Sequence, residues 1–99
     1  MKPNAKTFIE GTAIRITAVV NVDTLTSAHV TVIDPSSKKK VDATDMTRDA
    51  AGVYSYIVQT TTDWLEGEYV VRFEMTSGSY TGVTEEKFEL VEQEPSNAI

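Results

Sequence analysis

From Glu68 to Thr76 the chain alternates. Tyr69, Val71, Phe73 and Met75 fall in one phase, and Val70, Arg72 and Glu74 fall in the other. A repeat of two puts successive side chains on opposite faces of a strand, whereas a helix needs a repeat near 3.6. The same repeat recurs along most of the chain. Ile14, Ile16, Ala18 and Val20 alternate with Arg15, Thr17 and Val19, which predicts a strand over 12–20. Ala28, Val30 and Val32 alternate with His29, Thr31 and Ile33. Tyr54, Tyr56 and Val58 share a face, with Ser55 and Gln59 opposite and Ile57 between them. Phe88 and Leu90 mark the apolar face of a last strand over 83–91, and a weaker strand is expected over 41–46. Thr7 to Glu10 and the region of Val41 are candidate sheet edges.

Turn chemistry separates these runs about every ten residues. Asp34-Pro35-Ser36-Ser37 supplies a side-chain acceptor, a fixed φ and two small polar residues. Asp49-Ala50-Ala51-Gly52 reads as a second turn and Ser77-Gly78-Ser79 as a tight hairpin. Valine and threonine, both suited to a pleated and half-buried surface, fill the runs between. The expectation is an all-β fold of about seven short antiparallel strands. A two-sheet sandwich with Greek-key links suits that count, and a small closed barrel is the alternative.

Ninety-nine residues fit one domain. A chain of this length buries roughly 60–70% of the surface its unfolded form exposes, enough for one core. The expected division is an N-terminal extension over 1–6, a folded body over 7–91 and a flexible acidic tail over 92–99. With no cysteine, the chain has no disulfide, thiolate metal site or cysteine nucleophile. The apolar core must supply what a disulfide would add to a small domain, about 2–5 kcal/mol.

Charge narrows the partners. Fifteen acids against nine bases give a net charge of −6, which disfavours nucleic acid and anionic membranes. No apolar run approaches the roughly 20 residues of a membrane helix, so no membrane insertion is expected. The polar segment Met1-Lys2-Pro3-Asn4-Ala5-Lys6 has no apolar stretch behind it and reads as no secretory signal. Three contexts fit that reading: a protein working where it is made, a piece of a longer surface protein, or a virion component.

Candidate chemistry is sparse. His29 is the one histidine and lies in the polar phase of its strand, so a triad is not expected. No nucleophile elbow or phosphate loop occurs. Asp42, Asp45 and Asp49 lack the spacing of a calcium loop and read as a solvated edge. Lys38-Lys39-Lys40 is the one basic run, suited to a loop tip or an edge strand that must resist pairing, or to an acidic partner. Trp64 is expected to cap the core or contact a partner, and Tyr80, between Ser79 and Thr81, to be exposed. Lys38, Lys39, Lys40, Trp64 and Tyr80 are therefore the candidate interface residues. No cofactor and no catalytic residue is expected.

Two stretches carry a family resemblance. Asp49-Ala50-Ala51-Gly52-Val53-Tyr54-Ser55-Tyr56 holds one Gly-x-Tyr, and Thr61-Thr62-Asp63-Trp64-Leu65-Glu66-Gly67-Glu68-Tyr69-Val70-Val71 holds a second leading into the strongest strand. Together they resemble the bacterial, archaeal and phage immunoglobulin-like domains, which are similar to fibronectin type III and macroglobulin-type sandwiches. The resemblance spans about Thr12 to Val91. It departs from antibody domains in lacking the cysteine pair and in carrying Trp64 on a link. It implies an immunoglobulin-like sandwich in which Gly67 and Tyr69 form a structural corner. It further implies a non-catalytic structural or adhesive module that binds protein partners, among them capsid or tail proteins or copies of itself. A virion-associated decoration, tail or fibre protein is the first expectation. The alternatives are one domain of a prokaryotic cell-surface adhesin, or a carbohydrate-binding module. The implied location is the virion or the cell surface.

Overall fold

A computed structural model describes residues 6–92. Eight strands and no helix occur in that span: β1 (Lys6–Ile9), β2 (Ala13–Val19), β3 (Ser27–Ile33), β4 (Lys39–Asp45), β5 (Thr47–Ala50), β6 (Val53–Gln59), β7 (Gly67–Ser77) and β8 (Tyr80–Val91). They form two sheets. The larger runs β1-β8-β7-β3-β4 and the smaller runs β2-β6-β5. The chain is thus an all-β, two-sheet sandwich.

The alternation read in the sequence is what closes the core. Ile14 and Ile16 of β2, Tyr54 and Val58 of β6, Ala28, Val30 and Val32 of β3, Tyr69, Val71 and Phe73 of β7, and Phe88 and Leu90 of β8 are all buried in one cluster. β2, β3 and β7 each give one face to the interior, and the residues between stay exposed or half-buried. The registers keep like with like. Ile14 lies opposite Val58 and Ile16 opposite Tyr56, while Val30 lies opposite Phe73 and Val32 opposite Val71. Shifting any of these strands by one residue would turn its apolar set to water.

Four points differ from the sequence expectation. The strands number eight, not about seven, and they are not all antiparallel: β1 runs parallel to β8, with Lys6 opposite Phe88 and Ile9 opposite Val91. Lys6 therefore belongs to the folded body and not to an N-terminal extension. The additional strand β5 covers part of what reads as a turn around Asp49 and Ala50. All four of its residues are exposed, so it has no apolar phase to betray it. It is held by backbone pairing to β6, with a bulge between Arg48 and Ala50. Finally, β8 begins at Tyr80 and not at Val83. It pairs with β7 without a register shift from Ser77↔Tyr80 to Gly67↔Leu90. Gly78, at φ 63, opens the two-residue turn between them, as a type II′ hairpin requires. The proposed tail lies outside the described residues beyond Glu92.

Candidate interaction surfaces

A column of aromatic rings runs through one end of the sandwich. Trp64 stacks on Tyr69 at 5.8 Å between centroids, and Tyr69 on Phe88 at 5.0 Å with the rings 6° from parallel. Phe8 meets Phe88 edge-on at 5.9 Å. Each such pair contributes about 0.5–1.5 kcal/mol beyond the area it buries. The Lys40 ammonium sits 4.9 Å from the centroid of the Trp64 ring and closes the outer end of the column. Trp64 is half-buried and packs against the core. The link that carries it turns at Thr61, whose carbonyl accepts from the Trp64 amide at 3.1 Å.

Tyr69 is fully buried, and its hydroxyl donates to the Leu65 carbonyl, four residues upstream, at 2.7 Å. Burial, then the nearby carboxylates of Asp34 and Glu10, push this hydroxyl up to about 12. Gly67 precedes it at φ 130, a backbone conformation that side chains rarely take. A Cβ there would stand 3.0 Å from the Pro35 ring. Glycine thus lets the 61–67 link fold down onto the Asp34 turn.

That turn is a compact polar knot. The Asp34 carboxylate accepts from the Ser36 amide at 2.8 Å, the Ser36 hydroxyl at 2.8 Å and the Lys38 amide at 2.9 Å. Burial alone would raise its pKa. The bonds from Lys38 and Ser36, together with the charge of Lys40, outweigh burial and leave it lowered. Beyond the column, burial and the charges of Glu92 and Glu10 raise the Glu66 carboxyl.

The other candidate side chains are spread over the surface. Lys38 ends the Asp34 turn, Lys39 opens β4 and reaches Asp42 at 3.7 Å, and Lys40 lies over Trp64. His29 meets Asp45 at 2.9 Å, Arg15 meets Asp49 at 3.0 Å, and Arg48 meets Asp23 at 3.1 Å. The three aspartates that read as an acidic cluster thus go to three different side chains. Tyr80 is 81% exposed at the start of β8, and Val83, on the same strand, is 50% exposed.

The sequence reading missed two features. One is the Lys40–Trp64 contact, for which the sequence carries no signal. The other is an open groove between the sheets, lined by Phe8, Ile14, Ile16, Val71 and Phe88 and rimmed by charged residues.

The sequence matches no protein-family model and no curated protein. The class established is therefore that of the fold, a two-sheet β-sandwich.

Proposed function

We propose that this chain is an immunoglobulin-like, non-catalytic module that serves structure and protein interaction, and that it works as a virion-associated decoration, tail or fibre component. The strand order carries the reading. An immunoglobulin-like sandwich sets strands B, E and D in one sheet and G, F and C in the other, with C′ added in variable-type domains. Taking β2 as B, β3 as C, β4 as C′, β5 as D, β6 as E, β7 as F and β8 as G reproduces both sheets, β2-β6-β5 and β8-β7-β3-β4. The first strand adds to G. The Tyr69 hydroxyl bond near the start of β7 has the geometry of a tyrosine corner at the E–F link.

The disposition of polar groups supports a binding role over a chemical one. Among the described residues, His29, Arg15 and Arg48 each reach an acid, and Lys40 caps an aromatic ring. Large apolar side chains stay exposed instead at Ile9, Val19, Ile57, Leu65, Tyr80 and Val83, two of them on β8. The virion context rests on the resemblance of the two Gly-x-Tyr stretches to phage and prokaryotic immunoglobulin-like domains. Mass spectrometry of intact, purified particles from a host carrying the gene tests it. The chain is expected at stoichiometric copy number with the structural proteins; its absence from the particles would remove the virion assignment.

A further inference from the structure

We infer that the groove between β2 and β8 is a docking site for an extended strand of a partner protein, one carrying a large apolar side chain flanked by carboxylates. The inference rests on the interaction-module reading above and names the partner chemistry and the surface.

The groove exists because two sheet edges face each other across an uncovered gap. In the larger sheet β1 covers only the Phe88–Val91 end of β8. Tyr80–Lys87 has no strand on its outer side among the described residues. In the smaller sheet β2 is the edge. Between them lies a cavity of about 210 Å³ whose apolar wall is Phe8, Ile14, Ile16, Val71 and Phe88. Adding a strand to a sheet edge gives affinity through main-chain hydrogen bonds, and a pocket for alternate side chains gives specificity. Both parts are present here.

The edges at β4 and β5 are built to refuse a strand. β4 carries two register irregularities against β3, a non-glycine residue at positive φ in Ala43, and lysines at its start. β5 has four residues and a bulge. These are the devices by which edge strands avoid pairing. The free stretch of β8 has no such backbone irregularity: it pairs with β7 in unbroken register and carries exposed Tyr80 and Val83, with its charges confined to the Glu85–Lys87 end.

Charge selects the occupant. Lys6, Arg15 and Lys87, three of nine bases in the chain, line the groove against a single acid, Glu86. The lining itself thus carries more bases than acids, on a protein of net charge −6. The acids that Arg15 and Lys87 meet, Asp49 and Glu68, lie outside the groove lining, and both bases are more than half exposed. Exposed pairs of this kind hold their partners weakly. The rim therefore attracts carboxylates and repels a basic strand, while the wall takes one apolar side chain.

A phage-displayed library of random nonapeptides, panned on the full chain, tests this. The enriched peptides should share an apolar residue with acids beside it. Titrated as synthetic peptides into the labelled protein, they should shift the amides of Val83–Phe88 and Ile14–Thr17. The double variant Lys6→Glu, Lys87→Glu should weaken them about tenfold or more with its thermal midpoint near wild type. Three results overturn the inference: no acidic–apolar enrichment, binding that maps to the Trp64–Lys40 end, or equal binding by the double variant. Nuclear Overhauser contacts from residues 1–5 to Val83–Lys87 in the free protein would also overturn it, by naming a different occupant. So would a symmetric β8–β8 dimer. A chain present in particles that enriches no such peptide loses this inference and keeps the proposed function; one that enriches them and is absent from particles does the reverse.

Discussion

Replacing Tyr69 with phenylalanine removes one oxygen atom and leaves the ring. The stacks with Trp64 and Phe88 survive, so the change isolates the hydroxyl bond to the Leu65 carbonyl. A neutral hydrogen bond contributes about 1 kcal/mol net. Leu65 is half-exposed, so water can reach its carbonyl and the larger penalty for an unsatisfied buried acceptor is avoided. A loss of about 1 kcal/mol lowers the melting midpoint of a domain this size by about 4–8 °C.

Alkaline pH makes the prediction sharper. The Tyr69 hydroxyl has a folded value of about 12 against an ordinary 10.0. A group raised on folding contributes stability that is whole below its unfolded pKa and is lost as pH rises through the folded one. At about pH 11 the wild type has given up about 1.4 kcal/mol, one unit of differential protonation. Phenylalanine does not titrate, and the other tyrosines and lysines are common to both proteins. The two terms oppose each other, so the gap of about 1 kcal/mol at neutral pH closes near pH 11. Urea denaturation followed by far-ultraviolet circular dichroism, at neutral pH and in steps to about pH 11, reads both. A gap that stays constant over that range would refute the buried-hydroxyl argument, and no gap at neutral pH would refute the corner itself.

Three further outcomes are expected. Gly52→Ala should cost about 3 kcal/mol or more, because φ is 73 and the new Cβ would stand 2.5 Å from the Val20 carbonyl oxygen. Gly78→Ala, at φ 63 with open space around it, should cost only the conformational term of about 1–2 kcal/mol; equal midpoints in thermal melts would show the contact to be irrelevant. Glu66→Gln should raise the melting midpoint at neutral pH and leave it unchanged in acid. Its carboxyl is raised by burial, Glu92 and Glu10, so the wild type loses stability as pH rises through that pKa. Asp34→Asn should flatten the acid limb of the stability profile. Asp34 is lowered on balance by its bonds to Lys38 and Ser36, so its contribution is present above the ordinary carboxylate range and fades as pH falls through the folded value. A profile unchanged in shape would show that the carboxylate does not carry the turn.

What the sequence made legible followed from alternation. Every strand with one buried face shows it in residue spacing, as β3 and β7 do at Val30, Val32, Val71 and Phe73. β5 was hidden because Thr47, Arg48, Asp49 and Ala50 bury nothing. The start of β8 was hidden for the same reason. Tyr80, Gly82, Thr84 and Glu86 share the phase of Phe88, yet no strand of the smaller sheet covers them, and all are exposed. The groove was illegible in kind: an edge is a property of strand order, and the parallel docking of β1 on β8 has no local sequence signature. Trp64 and Tyr80 could be marked as candidate contacts. That one is pinned under Lys40 and the other exposed depends on neighbours far away in sequence.

The aromatic column and the groove meet in Phe8 and Phe88. Both rings belong to the aromatic column, and both line the groove. Phe88 is 4% exposed and held flat against Tyr69, which in turn is fixed by its bond to Leu65. The apolar wall that a partner strand would meet is therefore set by the same contacts that replace a disulfide in this chain. A receptor wall already fixed in place loses little side-chain freedom on binding, where each side chain newly immobilised costs about 0.5–1.5 kcal/mol. The rim is the reverse. Lys6, Arg15 and Lys87 are long and exposed, and they act through charge, which steers an incoming segment before any close contact forms. A rigid apolar wall and an exposed cationic rim would then divide the work of recognition. Loosening the column, by Trp64→Ala for example, should then weaken strand binding without touching the groove, while rim substitutions should act mainly on the association rate and its salt dependence. Stopped-flow measurement of both rates on such variants separates the two roles; a Trp64 variant with wild-type affinity would show that the column does not preorganise the site.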